Sequence, residues 1–315
     1  MNLFRYSNDN KRYHTFNYYL KNKYHHKVAK VSLNAGFTCP NRDGTKGSGG
    51  CIFCSNSGSG DYAGNVKDSL EQQFNDVSAI LQKKWPNCKY IAYFQANTNT
   101  YGPIEKIKNC VDPFLNKKDV VAISLATRPD GLDNDVLDSR AKINTQCDLW
   151  IELGLQTIHD KTGQLINRGH TYQEFLDGLN KLRQHKINVC VHIINGLPFE
   201  TKEMMLQTAK ELGKLDIQAI KIHMLFVIKN TKLHQLYLDD KFKMLSREEY
   251  IDLVTEQLSY LPDNIIIERL TGDGNIEDLI APLWSIKKVT ILNDIDKQMK
   301  ERDIYQGDLY KKTVQ

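Results

Sequence analysis

The stretch 39-CPNRDGTKGSGGCIFC-54 places three of the chain's seven cysteines in one glycine-rich segment. Eleven residues separate Cys39 from Cys51, and two separate Cys51 from Cys54. Disulfides are rare in cytosolic proteins, so a ligand set is the first interpretation of such clustering. The remaining cysteines are scattered and are interpreted as small buried apolar residues: Cys88, Cys110, Cys147 and Cys190.

Three kinds of site are compatible with cysteines at this spacing. A structural zinc ion takes four ligands, usually from paired CxxC units, and this chain has one CxxC, so a distant histidine would have to complete the site. The available histidines are His25, His26 and His170. A redox CxxC would use Cys51 and Cys54 but leave Cys39 without a role. A [4Fe–4S] cluster held by three thiolates uses all three and leaves one iron open, and we favour it.

Length and composition describe an ordinary globular chain. The 315 residues, 41% hydrophobic and 25% charged, suit one α/β barrel or two modest domains. No apolar run reaches the roughly 18–20 residues of a membrane span, and the N-terminus is polar, without a signal-peptide pattern. We therefore expect a cytoplasmic protein that does not enter a membrane. A net charge of +4 is too small to establish a nucleic-acid partner.

Short β-branched runs alternate with longer amphipathic segments. The predicted strands are 27–34, 90–96, 120–127, 149–157, 188–196 and 219–228. The predicted helices lie near 67–84, 103–116, 133–145, 171–186 and 201–214. Several begin with capping residues, namely Asp133 or Asn134, Thr171 and Thr201. This alternation predicts parallel βαβ units, and six of them indicate a partial (β/α)6 TIM-like barrel, with a doubly wound sheet as the structural alternative.

Polar clusters recur where the predicted strands end, as in a barrel whose βα loops carry the chemistry. CPNRDG follows the first strand, NTNTYG the second and TRPDG the third. After about residue 230 the alternation fades into helices near 246–260 and 287–302 and a short strand at 265–269. The predicted parts are therefore an N-terminal basic aromatic segment (1–26), a barrel (27–230) and a C-terminal α/β extension packed on it (231–315).

Several stretches together carry a family resemblance. They are the cysteine loop with Phe53 before its last cysteine, FQANTNTYGP (94–103), SLATRPDGL (124–132), WIELGLQTIHDKTGQLINRGHTYQEF (150–175) and INGLPFET (194–201). With them the chain resembles the radical S-adenosylmethionine (SAM) superfamily over roughly residues 15–275. The wide first gap differs from the superfamily's common CxxxCxxC spacing. It is similar to the Elongator-catalytic-subunit-like branch and its bacterial YhcC/YtqA-type group.

The resemblance implies a radical SAM barrel, a [4Fe–4S] cluster and SAM as cofactors. By match, Cys39, Cys51 and Cys54 would hold the cluster, and SAM would bind its fourth iron. Reduction would then release a 5′-deoxyadenosyl radical that takes a hydrogen atom from the substrate. The expected cofactor contacts are Gln95, Asn97, Asn99, Arg128, Glu152, Gln156, Arg168, Asn195, Gly196, Leu197 and Pro198. Among them, Glu152 is expected to contact the ribose or the substrate.

Most of these residues also have a structural interpretation. The asparagines after the second strand can be loop caps, Glu152 can form a salt bridge, and Arg128 can pair with Asp130. Arg168 suits a carboxylate clamp because a planar guanidinium matches that group. The backbone of 195–198 resembles the family's adenine-side turn. Lys221 and His223 are candidate substrate contacts, whereas His192 is interpreted as a core histidine and His170 as a helix N-cap.

Relatives in the Elongator-like branch act on carbon 5 of the wobble uridine, so the resemblance implies tRNA as substrate. Residues 1–30 carry seven Lys or Arg, one acid and five tyrosines, a composition that suits RNA. Alternatively, Tyr18, Tyr19 and Tyr24 belong to a helix packed on the barrel. An electron donor such as flavodoxin or ferredoxin is also implied. The competing functions are a radical enzyme for a small metabolite, such as a porphyrin precursor, and a non-enzymatic metal or iron–sulfur binding protein.

Overall fold

The computed structural model describes residues 4–55, 58, 60 and 62–313. Its strands are β1 (Val28–Leu33), β2 (Lys89–Phe94), β3 (Val120–Thr127), β4 (Asp148–Gln156), β5 (Asn188–Asn195), β6 (Ala219–Met224), β7 (Val227–Ile228), β8 (Ile266–Arg269) and β9 (Leu279–Ala281). Its α-helices are α1 (Phe16–Tyr24), α2 (Leu70–Lys84), α3 (Ile104–Val111), α4 (Asn134–Ile143), α5 (Asp160–Leu165), α6 (Tyr172–Gln184), α7 (Lys202–Leu212), α8 (Lys232–Leu238), α9 (Arg247–Tyr260), α10 (Lys288–Glu301) and α11 (Asp308–Thr313).

Seven strands form one parallel sheet in the order β1-β2-β3-β4-β5-β6-β8. Apolar side chains on its outer face, such as the fully buried Val31, Ile151 and Val191, pack beneath the helices. The connecting helices begin where capping residues predict. Thr171 caps α6 in a capping box with Glu174. The predicted βαβ architecture is therefore confirmed.

The sheet curls into an open half-barrel. Laid flat, its seven strands would hold the first and last about 29 Å apart, at roughly 4.8 Å per spacing. Nevertheless Lys30 on β1 forms an ion pair with Glu268 on β8, the strand at the opposite edge. Only a curled sheet brings these side chains together, so the inner faces of all the strands surround one interior.

Helix α1 closes the end of this interior at which the strands begin. Leu20 is buried against the first inward residues of the strands, among them Val28 and Trp150. The ring of Tyr19 meets that of Trp150 edge-on, at 5.8 Å between centroids. Thr15, the N-cap of α1, pairs with Ile267 of β8, so the helix crosses from the last strand to the first. The cysteine loop, which follows the carboxyl end of β1, therefore lies at the opposite end.

The structure differs from the sequence prediction in two places. The predicted strand 219–228 is two strands, because the chain turns after Met224 and β7 pairs with β9 in a separate small sheet. The predicted strand near 265–269 is β8, which pairs with β6 and extends the main sheet. Residues after 230 therefore build part of the barrel itself. No helix among the described residues is long and apolar enough to cross a membrane.

Candidate cluster and cofactor site

The cysteine loop folds back on itself after β1. The backbone N–H of Gly50 donates to the carbonyl of Asn41 at 2.9 Å, which returns the chain to the start of the loop just before Cys51. Gly50 has a φ of +74°, and a Cβ there would lie 2.9 Å from Cγ of Arg42. The return therefore requires glycine at this position.

A second loop, which follows α5, holds the cysteine loop in place. The side-chain amide of Asn167 donates to the Gly50 carbonyl at 2.7 Å, and that of Asn41 donates to the Asn167 carbonyl at 2.5 Å. The N–H of Ile52 donates to the Ile166 carbonyl at 3.0 Å. The N-R-G segment from the sequence resemblance thus orients the cysteine loop.

All three predicted cysteine ligands line one cavity of about 160 Å³. The ends of successive strands supply its other walls, including Asn97 after β2, Arg128 after β3, and Gln156 at the end of β4. Parallel strands present their carboxyl ends on the same side of the sheet, which is why residues so distant in sequence meet here. The expectation from sequence that the polar clusters share one end is confirmed.

The cavity favours thiolate at one cysteine of the CxxC pair. A hydrogen bond from Cys54 lowers the pKa of Cys51, assisted by the positive charges of Arg128 and Arg168 and opposed by burial. The same bond and burial raise the pKa of Cys54. Thiolates are the form that iron binds, so the surrounding arginines suit an anionic ligand set.

The three cysteines do not form a compact site for a single ion. Among the described residues, one set of candidate ligand atoms lies mutually within 4.8 Å, and it is Glu152, Cys190 and His192. That carboxylate already contacts two lysine ammonium groups, Lys30 and Lys221, which oppose a cation there. Tetrahedral zinc with bonds of about 2.3 Å would hold its sulfurs nearer together than 4.8 Å. The wider set of thiols suits a polynuclear cluster better than zinc.

Both predicted arginines hold loops in this structure. Arg128 donates to both oxygens of Asp130, at 2.9 and 2.8 Å, and to the carbonyl of Arg168 at 2.6 Å. Arg168 is 1% exposed and donates to the carbonyls of Leu155 and His170, each at 2.8 Å. Either guanidinium would have to exchange existing bonds for a methionine carboxylate, so these cofactor contacts stay predictions.

The amide side chains that follow β2 have two kinds of role, since one braces the loop and the other two line cavities. Asn99 is fully buried and donates to several backbone carbonyls, including that of Ala126 at 3.0 Å, so it braces the loop. Asn97 donates to the Phe37 carbonyl at 3.0 Å and also lines the cysteine cavity. Gln95 lines an adjoining cavity instead. Asn97 is thus the one of these three nearest the cluster position.

Glu152 lies at the centre of a buried group of charges inside the half-barrel. Its carboxylate contacts the ammonium groups of Lys30 and Lys221 and accepts from Ser124 Oγ at 2.7 Å. Glu268 contacts the same two lysines. Burial acts to raise the pKa of Glu152, but the two lysines outweigh it and hold that pKa well below its usual range. The salt-bridge interpretation of Glu152 therefore describes this structure, and Lys221 is part of the same network.

A second cavity of about 240 Å³ adjoins the first, and five residues line both: Phe53, Cys54, Gly58, Gln156 and His192. Gln156 faces both because a bulge between β4 and β5 gives it a φ of +64°. The predicted substrate residue His223 lines only the second cavity. The two cavities thus share part of their lining, between the cysteines and His223.

Residues 195–198, where the resemblance implies an adenine-side turn, line neither of the two cavities, and the Gly196 N–H donates to Sδ of Met205 at 3.1 Å. The side-chain amides of Asn195 and Gln257 bond each other reciprocally, at 2.8 and 2.9 Å. Gly196 has a φ of +85°, and Leu197 is buried in a cluster with Ile52 from the cysteine loop. The side chain of Asn195 is therefore committed, and the adenine contact that the resemblance implies for this turn stays a prediction.

Sequence reasoning missed several residues of the site. Helix α6 is capped by Thr171, so His170 is not its N-cap. The His170 ring lines the cysteine cavity, and both of its nitrogens are buried with no partner in the part of the chain that the structure describes. Burial and nearby arginines lower the pKa of His170 to about 3. Nothing local to its sequence marks it. Lys30 could have been found, because it alternates with Val28 on the inner face of β1.

The side chains present fit the implied cofactors. The donor set is three thiols beside Arg128 on one cavity, which suits an iron–sulfur cluster. The buried imidazole nitrogens of His170 on the same wall have no partner among the described residues, as expected where a ligand supplies one.

Comparison with known proteins gives the family of the chain. The family described as "Radical SAM superfamily" matches residues 39–212, and the "Radical_SAM C-terminal domain" matches residues 217–301. The protein YtqA of Bacillus subtilis is 50% identical over 311 residues, 99% of this chain and 97% of YtqA.

Two further relatives share less of their length. A tRNA uridine(34) acetyltransferase of Methanocaldococcus jannaschii is 26% identical over 156 residues, 49% of this chain but 28% of that protein. The structure of Elp3 from Methanocaldococcus infernus shares the fold with a TM-score of 0.67 at 20% identity, covering 89% of this chain and 64% of that one. The chain belongs to the radical SAM superfamily of enzymes, in its Elongator-like branch beside the YtqA-type proteins.

Proposed function

We propose that Cys39, Cys51 and Cys54 ligate one [4Fe–4S] cluster, that SAM binds beside it, and that the enzyme modifies carbon 5 of the wobble uridine in tRNA. The observation that supports this most strongly is that three thiols line one cavity and that a second cavity adjoins it. When bound, the cluster supplies the electron that cleaves SAM into methionine and a 5′-deoxyadenosyl radical. The chain's own residues bind, orient and enclose the reactants.

The surrounding residues have distinct roles in this proposal. Arg128 lies near the thiolates and offsets their negative charge. Asn97 and Gln156 present amide groups to the cavity and would contact the amino acid part of SAM. The backbone of 195–198 would contact the adenine. Asn99 and Arg168 act mainly by holding the loops that carry these groups.

The second cavity is the proposed place of the substrate base. Its walls include the imidazole of His223 and the guanidinium of Arg269, which can bond a base edge or a phosphate. An anticodon loop presents unstacked bases, so a single nucleotide can enter such a space without opening a duplex. The tRNA uridine(34) relative supports this substrate class, and we extend it to this chain as a proposal.

Electron supply and location follow from the same proposal. A flavodoxin or ferredoxin would dock where the cysteine loop reaches the surface, near the half-exposed Lys46. Such acidic carriers, SAM and tRNA are all found in the cytoplasm, where we place the enzyme.

Anaerobic reconstitution tests the ligand assignment. We expect about four irons per chain, because three thiolates and one cubane make one complete site. Replacing Cys39, Cys51 or Cys54 by Ala should abolish the broad visible absorbance. The matched controls are single Ala variants of Cys88, Cys110, Cys147 and Cys190, which should keep it. A colourless protein that binds zinc tightly would contradict the assignment.

The substrate assignment needs a separate test. Total tRNA from a strain that lacks this gene should be missing one modified uridine at the wobble position. The reduced holoenzyme with SAM should form 5′-deoxyadenosine slowly alone and faster with that tRNA. Faster formation with a small metabolite, together with an unchanged nucleoside profile, would instead establish the metabolite alternative. Absence of 5′-deoxyadenosine under every condition would favour a non-enzymatic binding protein.

A further inference from the structure

His192 on β5 connects the buried charges with the cavities. Its Nε2 lies 2.6 Å from Oε2 of Glu152, a hydrogen-bond distance. An ionised carboxylate can only accept hydrogen bonds, so Nε2 must carry the proton. This bond therefore selects one tautomer of the imidazole.

The other charges of the network keep His192 in this tautomer. Two ammonium groups, Lys30 and Lys221, contact Glu152, and Glu268 contacts both of them, so two positive and two negative charges balance. Glu152 therefore remains ionised. Burial, followed by the charge of Lys221, lowers the pKa of His192, which favours its neutral form. A neutral imidazole protonated at Nε2 has a lone pair at Nδ1.

That Nδ1 lies where a ligand can reach it. Within the described part of the chain it has no hydrogen-bond partner, and it is not among the enclosed, unpartnered atoms. His192 lines both the cysteine cavity and the second cavity, at their junction. On the second-cavity side its ring lies 5.3 Å, centroid to centroid, from that of His223. Nδ1 of His192 is thus a hydrogen-bond acceptor that points in a fixed direction and has no donor among the described residues.

We propose that His192 is a specificity-determining residue, whose Nδ1 accepts a hydrogen bond from a ring N–H of the substrate. The inference rests on the proposed function and deepens it by naming the feature that is read. Uracil carries such a donor at N3, whereas the N3 of cytosine is an acceptor and would face the lone pair unfavourably. The four-charge network acts through His192 and holds it in the accepting tautomer.

Binding of a short RNA to the reconstituted holoenzyme tests the proposal. The probe is an anticodon stem-loop with uridine at the wobble position, compared with the same stem-loop carrying N3-methyluridine, which lacks the donor. Wild-type protein should bind the methylated RNA about tenfold more weakly, as expected when a buried acceptor loses its donor. In His192→Gln, whose amide can still donate to Glu152 but offers no acceptor near Nδ1, the two RNAs should bind equally.

The variants separate a hydrogen bond from simple crowding by the methyl group. His192→Asn keeps a polar atom near the Nδ1 position, and it should retain part of the discrimination. An equal methyl penalty in wild type and His192→Gln would mean crowding, and it would overturn the proposal, as would no penalty in wild type. Iron content and melting temperature confirm that each variant is folded.

Failure of the proposed function gives a different result. If the uridine stem-loop neither binds nor stimulates 5′-deoxyadenosine formation, the tRNA substrate is wrong, and this inference is overturned with it. If the stem-loop binds and reacts but methylation makes no difference, the inference about His192 alone is wrong. A loss of SAM affinity in His192→Gln without a methyl effect would assign the acceptor to the cofactor and likewise overturn the inference.

Discussion

At the scale of single residues, Glu152 links the interior of the half-barrel to the site. Its side chain is fully buried yet charged, and the buried Lys221 and the half-buried Lys30 compensate that charge. A buried carboxylate of this kind stabilises the fold only while all of its charged partners are present. If one partner is removed, the remaining buried charge has lost its hydration and has no opposite charge to compensate it. A substitution here therefore affects folding as well as any contact with the cofactor.

Glu152→Gln should lower the free energy of unfolding by roughly 3–5 kcal/mol, because it leaves Lys30 and Lys221 with Glu268 as their remaining carboxylate. Chemical denaturation measures this. The control is Glu71→Gln, since Glu71 is 74% exposed and pairs with Lys117 at 3.1 Å, and it should change little. If Glu152→Gln is as stable as the control, the buried network does not hold the barrel. Weaker SAM binding in a well-folded Glu152→Gln would support the ribose contact predicted from sequence.

The buried histidines predict acid sensitivity. Burial, then the charges of His192, Arg269 and Lys221, hold the pKa of His223 well below its usual value of about 6.5. As pH falls below 6.5, the unfolded chain gains a proton at this residue that the folded chain does not, so stability decreases by up to about 1.4 kcal/mol per pH unit.

Thermal unfolding between pH 7.5 and 5.5 tests this sign. The melting temperature of His223→Gln should fall less steeply with acidification than that of wild type. His185 provides the opposite case, because the Lys181 carbonyl and Asp138 raise its pKa. His185→Gln should therefore not flatten the slope. Identical slopes for wild type and His223→Gln would show that His223 can take up a proton while folded.

At the scale of elements, helix α1 closes one end of the half-barrel and also carries basic residues on its surface. Lys23 pairs with Asp148 at 2.6 Å, and Tyr24 also donates to Asp148 at the start of β4. Lys11 and Arg12 pair with Asp296 and Asp303. The alternative in which the tyrosines pack a helix on the barrel therefore describes Tyr19 and Tyr24. Much of the positive charge expected to meet RNA is already matched within the chain.

Two lysines of α1 allow a charge-matched comparison. Lys21 is exposed and makes no ion pair in the part of the chain described, whereas Lys23 faces Asp148. Lys23→Glu should lower the melting temperature more than Lys21→Glu, because it places two carboxylates together at the barrel floor. Both variants carry the same net charge. Equal melting temperatures would mean that the Lys23 pair contributes nothing to the docking of α1.

At the scale of the whole molecule, α1 and the cysteines lie at opposite ends of the strands. A strand of six residues spans about 20 Å, so a nucleotide that enters the cavities approaches from the face opposite α1. Lys232, exposed at the start of α8, lies on the cysteine side, with its Nζ 3.6 Å from where a Cβ of Gly49 would be. Exposed lysines thus lie at both ends of the strands, and Lys232 is the one that borders the site.

Lys232→Glu should therefore weaken tRNA binding more than Lys21→Glu does, although both remove the same charge. Measured against salt concentration, the slope of log affinity should fall by about one phosphate contact in Lys232→Glu and remain near wild type in Lys21→Glu. The reverse order would place the docking surface on α1, as its composition first indicates. Iron content and SAM cleavage without RNA should be unchanged in both.

Much of this protein follows from local sequence. Strand and helix alternation, capping at Thr171, and the return of the chain at Gly50 depend on neighbouring residues, so their positions were predictable. The cysteine spacing also identified a ligand set, because ligand chemistry depends on residue type and short chain distances. In the same way, alternation along β6 marked His223 as facing the interior.

Tertiary structure alone decided which side chains became partners. Whether Glu152 meets a ribose or Lys30 depends on how far the sheet curls, and that depends on β8, which is over one hundred residues away from Glu152 in sequence. Likewise His170 reaches the cysteines, and His192 is held in one tautomer, only because distant strands end or meet at the same place. A local pattern determines which face a residue occupies. The balance of burial and charge across that face depends on strands that are distant in sequence. A local sequence pattern therefore cannot predict it.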